Sequence, residues 1–277
     1  MTPFLRFPGS RSKAFTMSYD DGSVHDRRLI DIMTKYGLRG TFNICSGVFA
    51  ETPAASGKLT RSEAYDLYSS SGMDVAVHGA RHLSLTAVDH AMATRDIIRD
   101  RESLENLFGK IINGMAYANG AHNDKAKKIV KHCGIAWART ISSHESFDLP
   151  TDWLRWCPTC HHKNPRLMDL AHQFIERKMP SYFWQQTPSL FFLWGHSHEL
   201  ARDDNWEIIE RLGEYIGGRD DVWYATNGEI YNYVSAYHQL VIAVTGKMVQ
   251  NPTATDVYVN YYGKDVVIPA GKTVHFG

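Results

Sequence analysis

The stretch Ala14-Phe15-Thr16-Met17-Ser18-Tyr19-Asp20-Asp21-Gly22 joins a short apolar run to two adjacent carboxylates. The run is β-like and short enough to be a buried strand. Carboxylates held side by side raise each other's pKa unless a cation or a hydrogen-bond network offsets them. Gly22 lets the backbone turn sharply and approach a ligand. The pair therefore suggests one carboxylate for a metal and one for proton transfer. The plainer reading is an Asp-Asp-Gly turn ahead of a helix capped by Ser23.

A second stretch has the same layout. Met73-Asp74-Val75-Ala76-Val77 is strand-like and runs into His78-Gly79-Ala80-Arg81-His82. Two imidazoles four residues apart, on a helical turn after a strand, can point at one ion. With 14 histidines in 277 residues, that spacing alone says little. Placement says more, because both stretches sit at carboxyl ends of predicted strands, where parallel α/β folds build their sites. Two histidines and one aspartate with open positions left over form a catalytic metal arrangement, not a closed structural one.

Apolar runs and helical patterns alternate along most of the chain. The patterns predict strands near 13–20, 40–45, 73–78, 112–118, 134–140, 190–195 and 222–226. Helices are predicted near 23–37, 60–71, 87–108, 123–133, 165–178, 203–217 and 227–237. This alternation argues a parallel sheet, and about seven units argue an α/β barrel. After about Leu240 the pattern changes. Asp256-Val257-Tyr258-Val259-Asn260-Tyr261-Tyr262 alternates with period two, Gly263-Lys264-Asp265 turns the chain, and Val266-Val267-Ile268-Pro269 follows. That is a small antiparallel unit of two or three strands, too small to stand alone. The expected organisation is a barrel over 1–240 and a β extension over 241–277 packed on it, more a structural cap than a substrate-binding appendage.

The chain carries 30 basic and 30 acidic residues and is 43% hydrophobic. This is enough to bury one large core, and the balance leaves no electrostatic footprint for nucleic acid or an anionic membrane. Fourteen Tyr and seven Trp offer flat faces to sugar rings, though most will be core. No stretch approaches a transmembrane span and none reads as a secretory signal, so the chain as it stands is expected in the cytoplasm, or outside the cell if a leader has been removed. Four cysteines do not suggest a disulfide scaffold. Cys157-Pro158-Thr159-Cys160-His161-His162 could be read as a haem attachment or a structural zinc site. A loop near the active-site face is the expectation, with His161 or His162 near substrate.

Tyr19-Asp20-Asp21-Gly22, then Tyr36-Gly37-Leu38-Arg39-Gly40-Thr41-Phe42-Asn43, then His78…His82 resemble, in order, the motifs of the polysaccharide deacetylase (NodB-homology) family, carbohydrate esterase family four. The resemblance runs from about Lys13 to about Tyr237. It implies a distorted barrel, Asp20 as general base, and Asp21, His78 and His82 as metal ligands. Gly79 stands where the family often has Ser or Thr. Leu190-Phe191-Phe192-Leu193-Trp194-Gly195-His196-Ser197-His198-Glu199 resembles the last catalytic element, with His196 as general acid, His198 in reserve and Glu199 as the acid that follows. The third motif departs from the family. Met115-Ala116-Tyr117-Ala118-Asn119-Gly120 keeps the turn but has Ala116 where an Arg would orient the base. Arg139, at the end of a neighbouring predicted strand, is the substitute the sequence offers, with Tyr117, Asn119 and Gly120 as orienting or oxyanion residues.

The resemblance implies metal-dependent removal of N- or O-linked acetyl groups from an acetylated oligo- or polysaccharide. The ion would be Zn²⁺, with Co²⁺, Ni²⁺ or Fe²⁺ as alternatives, and no protein partner is implied. The rival readings are an amidase acting on a small non-peptide C–N bond at the same metal site, and a catalytically silent carbohydrate-binding relative.

Overall fold

The run that leads into the acidic pair is a strand, Lys13–Asp20, buried at every residue. A parallel strand covered on both faces has no solvent side, so polar residues on it must be paired internally. The computed structural model describes residues 3–53, 57–179 and 187–276. Its strands are β1 (Phe4–Arg6), β2 (Lys13–Asp20), β3 (Gly40–Ile44), β4 (Asp74–Val77), β5 (Gly114–Ala116), β6 (Trp137–Arg139), β7 (Cys160–His161), β8 (Ser189–Gly195), β9 (Val222–Tyr224), β10 (Val241–Ile242), β11 (Met248–Gln250), β12 (Val257–Tyr261), β13 (Lys264–Ile268) and β14 (Thr273–His275). Its helices are α1 (Asp26–Lys35), α2 (Arg61–Ser70), α3 (His90–Phe108), α4 (Asp124–His132), α5 (Leu167–Glu176), α6 (Ser197–Arg202), α7 (Glu207–Ile216) and α8 (Asn227–His238).

The main sheet runs β6-β5-β4-β3-β2-β8-β7, with β9 also on β2, and every pairing is parallel. β2 is its spine. One edge pairs with β8 from Lys13 to Tyr19, and the other is shared between β9, at Lys13–Phe15, and β3, at Met17–Asp20. Residues 156–162 curl the sheet round. Trp156 exchanges backbone hydrogen bonds with β6, its N–H donating to Ala138 O at 2.9 Å and its carbonyl accepting from Thr140 at 3.0 Å. A few residues on, the N–H groups of Thr159 and His162 donate to Phe192 O and Trp194 O on β8. The fold is thus the distorted α/β barrel. The Cys157–His162 segment, expected to be loop, ends in an eighth parallel strand. A run of two residues, half of it histidine, carries too little periodic signal to be read as one.

Alternation sorts the strand residues into two cores. Phe15, Met17, Tyr19, Phe42, Val75, Val77, Met115, Ala138, Phe191 and Leu193 face the layer of α1–α5 and α7. Ala14, Ala76, Trp137, Leu190 and Phe192 share the other core with Trp156 and with Ile230, Tyr233 and Val234 of α8. Continuing that second parity up each strand gives Thr16, Ser18 and Asp20, then Thr41 and Asn43, then His78, and then Arg139. The inner face therefore passes from apolar at one end of the sheet to polar at its carboxyl end.

The chain after α8 forms two small antiparallel sheets, β1-β12-β13 and β10-β11-β14. Val249, Val257, Val259, Tyr261 and Ile268 fill the space against α8. The amino-terminal strand joins this unit, with Leu5 opposite Val259. Among the described residues, no helix is long and apolar enough to cross a membrane.

Candidate active site

β2, β3, β4, β6 and β8 end around one cluster. Asp20, the last residue of β2, is almost fully buried. Both its carboxylate oxygens accept from Arg139 Nη2, the Oδ1 contact at 2.6 Å, and Oδ1 also accepts from Asn43 Nδ2 at 2.8 Å. Arg139 is fully buried. Its Nε donates to Ser18 Oγ at 3.1 Å and its guanidinium lies 4.7 Å from the Trp194 ring centre. Arg139 is in register with Ala116 on the adjacent strand. The cation therefore stands one strand over, at the level of the small residue.

Burial alone would push the Asp20 carboxyl up. The Arg139 guanidinium, with His78 and His196 behind it, outweighs burial and holds the group at about 2. An anion held by a buried guanidinium is charged over the whole physiological range.

Asp21 has φ of 84°, beyond the usual left-handed region for a residue with a side chain. Its Oδ1 lies 3.6 Å from His78 Nε2 and 3.7 Å from His82 Nε2, and Lys58 Nζ donates to its carbonyl at 3.0 Å. His78 Nδ1 lies 2.9 Å from Ala116 O, so its Nε2 faces the carboxylates. The His78 backbone N–H donates to Asp100 Oδ2 at 2.9 Å, and Asp100 Oδ1 takes the N–H of Ser46. Burial lowers the His78 pKa and favours the neutral imidazole that a metal requires.

His78 and His82 do not sit on a helical turn. They flank a tight turn closed by His82 N–H to Gly79 O at 3.2 Å, and α3 begins only at His90. Gly79 has φ of 84°, and a Cβ there would stand 2.7 Å from Asp96 Oδ2. Ser or Thr at this position would be strained and would clash, which explains the glycine.

The donor atoms of Asp21, His78 and His82 all lie within 4.8 Å of one another. One carboxylate oxygen and two imidazole nitrogens at that spacing fit a divalent cation. A second group, His161, His196 and Glu199, meets the same criterion. Cys157, Cys160, His161 and His162 do not come together as a metal site, and all four cysteines are free. The Cys157 thiol instead sits 3.4 Å from Thr140 Oγ1.

His196 follows β8, with Nε2 3.8 Å from Asp20 Oδ2 and Nδ1 3.3 Å from Glu199 Oε2. Burial would lower its pKa, but Glu199, Asp20 and Asp21 together raise it. His198 lies further out, 4.0 Å from Asp21 Oδ2. Tyr117 turns away from the cluster, its hydroxyl donating to Leu154 O at 2.9 Å. Asn119 Nδ2 donates to Ser84 Oγ, and the Gly120 N–H is committed to Tyr117 O. Asn43, Ser18 and Asp100 carried no role in the sequence reading. Asn43 alone left a signal, as a polar residue sharing parity with Thr41 in a strand-like run.

The strand ends of this parallel α/β barrel gather a buried carboxylate–guanidinium pair and an Asp-His-His cluster, groups able to move a proton and to hold a cation. Residues 9–138 match the profile described as polysaccharide deacetylase. That stretch is similar to the polysaccharide deacetylase family, in line with the resemblance its motifs carry. It is similar in fold to a candidate polysaccharide deacetylase from Mycobacterium smegmatis, with TM-score 0.61, 16% identity, and coverage of 86% of this chain and 95% of that one. A family 4 carbohydrate esterase from Streptomyces lividans in complex with acetate gives TM-score 0.50 and 16% identity, over 76% of this chain and 91% of that one. Against a Streptococcus pyogenes deacetylase in complex with acetate, PplD, the overlap is 46% of this chain and 55% of that one, at TM-score 0.42 and 20% identity. The chain thus spans about half the length of that deacetylase. No curated protein matches it at a significant level.

Proposed function

We propose that the protein is a hydrolase that removes acetyl groups from an acetylated oligo- or polysaccharide. The observation that carries this reading is the pairing of roles at one spot: a buried, ionised Asp20 next to a three-donor cluster, with His196 facing the same carboxylate from β8.

Asp21, His78 and His82 would hold a divalent cation. Zinc suits one carboxylate and two imidazoles best. When bound, the ion supplies Lewis-acid polarisation of the acetyl carbonyl. The protein's own groups do the rest. Asp20, fixed by Arg139 and Asn43, takes the proton of the attacking water. His196 gives a proton from Nε2 to the departing sugar nitrogen or oxygen, and its raised pKa keeps that proton available near neutrality. The cation–carboxylate pair also fixes the direction of Asp20, so little reorganisation is needed as charge develops.

The test is acetate release from N-acetylated chitooligosaccharides and acetylated xylooligosaccharides by zinc-loaded protein. Release by wild type, lost in Asp20→Asn with zinc still bound, supports the reading. Zinc binding with no release from any sugar counts against it.

A further inference from the structure

Glu199 is engaged more heavily than a carboxylate serving one histidine needs to be. Its Oε2 lies 3.3 Å from His196 Nδ1, 3.0 Å from His161 Nε2 and 3.5 Å from His162 Nε2, and its Oε1 is 3.4 Å from Lys163 Nζ. His161, His162 and Lys163 come from the segment that curls the sheet, whereas Glu199 lies on α6 and His196 just before it. Without that segment, the carboxylate would be held only by its local i, i+3 contact to His196.

We propose that His161 is a positioning residue for His196. By sharing the Glu199 carboxylate with it, His161 fixes the rotamer of Glu199 and makes Nδ1 the bonded nitrogen of His196. His196 Nε2 is thereby left facing Asp20. The assignment deepens the deacetylase reading and rests on it for its catalytic consequence, but the geometry itself is independent of that reading.

The surroundings of the pair support the role. His162 is held rigidly beneath it. Its ring stacks on Tyr19 at 5.7 Å, and its Nδ1 is 3.2 Å from the Tyr19 hydroxyl. Gly195 is what lets the ring lie there, since a Cβ at that position would be 2.0 Å from His162 Nδ1. The Nε2 of His162 is buried with no hydrogen-bond partner and lies nearest Glu199, at the outer limit of polar contact. The His161 ring packs edge-on against Trp194 at 4.5 Å, the same indole that lies beside Arg139. The contacts run from Tyr19, next to the base, through His162 and Glu199 to His196. Orientation of an imidazole through its second nitrogen is a general means of setting which nitrogen carries the proton.

His161→Phe removes the donor and keeps a ring against Trp194, while His161→Gln restores a donor near the position of Nε2. We expect His161→Phe to lower kcat for acetate release by about 10- to 100-fold, with KM within about twofold, and His161→Gln to recover most of it. In ¹⁵N spectra of the histidine rings, neutral His196 is expected protonated on Nδ1 in wild type and mixed between tautomers in His161→Phe. An unchanged kcat with an unchanged tautomer overturns the proposal. So does a second zinc equivalent per chain that disappears in His161→Phe, which would make the group a metal site. If no sugar releases acetate, the deacetylase reading fails, while the tautomer comparison still decides the role of His161.

Discussion

The carboxyl end of the barrel sheet and the small C-terminal unit are both made of short strands, yet they point opposite kinds of residue inward. In the C-terminal unit, alternation places Val257, Val259 and Tyr261 in the core, and the charges that follow, Lys264 and Asp265, stand exposed. At the sheet's end the same period-two rule places Asp20, Asn43, His78 and Arg139 inside. The first arrangement gains stability from apolar area removed from water. The second costs free energy at every residue unless each charge is matched, and a bundle of matched buried charges is seldom the most stable choice. Its retention together with the outlying backbone of Asp21 is the physical signature of a site, since proteins depart from local preference where function requires it.

The comparison breaks most visibly at Asp20. Asp20→Asn should lower acetate release by at least about 10³-fold while leaving zinc bound, as measured by equilibrium dialysis. A change below tenfold would place the base elsewhere. Arg139→Ala comes next, because it strands a buried carboxylate. The expected cost is about 3–5 kcal/mol in chemical denaturation, together with loss of turnover, and Arg139→Lys should restore only part of either because one ammonium cannot hold both Asp20 and Ser18 as the planar guanidinium does. In the C-terminal unit, Val259→Ala should cost about 1–2 kcal/mol with kcat unchanged. A matching loss of kcat would mean that the two regions are not separate in function.

The smallest effect is in pH. The Asp20 carboxyl is held at about 2, below the ordinary aspartate value of 3.8, by the Arg139 guanidinium. A depressed carboxyl contributes stability that is fully present above its unfolded pKa and is lost as pH falls through its folded one. The contribution of this carboxyl to the stability difference between wild type and Asp20→Asn should therefore be fully present above about pH 4 and turn against wild type as pH falls below it. A difference with no turn against wild type below about pH 4 would contradict the pairing with Arg139.

Much of this was legible in the sequence because the main strands are apolar runs that end in chemistry. All seven strands read from the chain are present in the sheet. The eighth, Cys160–His161, was not legible, because its strand character comes from pairing with Leu193 and Trp194 rather than from its own residues. The short helix Ser197–Arg202 was hidden by the histidine motif that opens it. Arg139 could be singled out as a cation at a strand end. That it lies level with Ala116 required the register. The support of His78 by Asp100, across 22 residues and from a helix, had no local signal at all.

The most direct test of the account is acetate released from an N-acetylated oligosaccharide by metal-stripped protein, measured before and after titration with Zn²⁺. The account predicts no release before addition and release that rises to a plateau at one zinc per chain, absent in Asp20→Asn. Release that survives stripping, or one zinc bound with no acetate formed from any acetylated sugar, would contradict it.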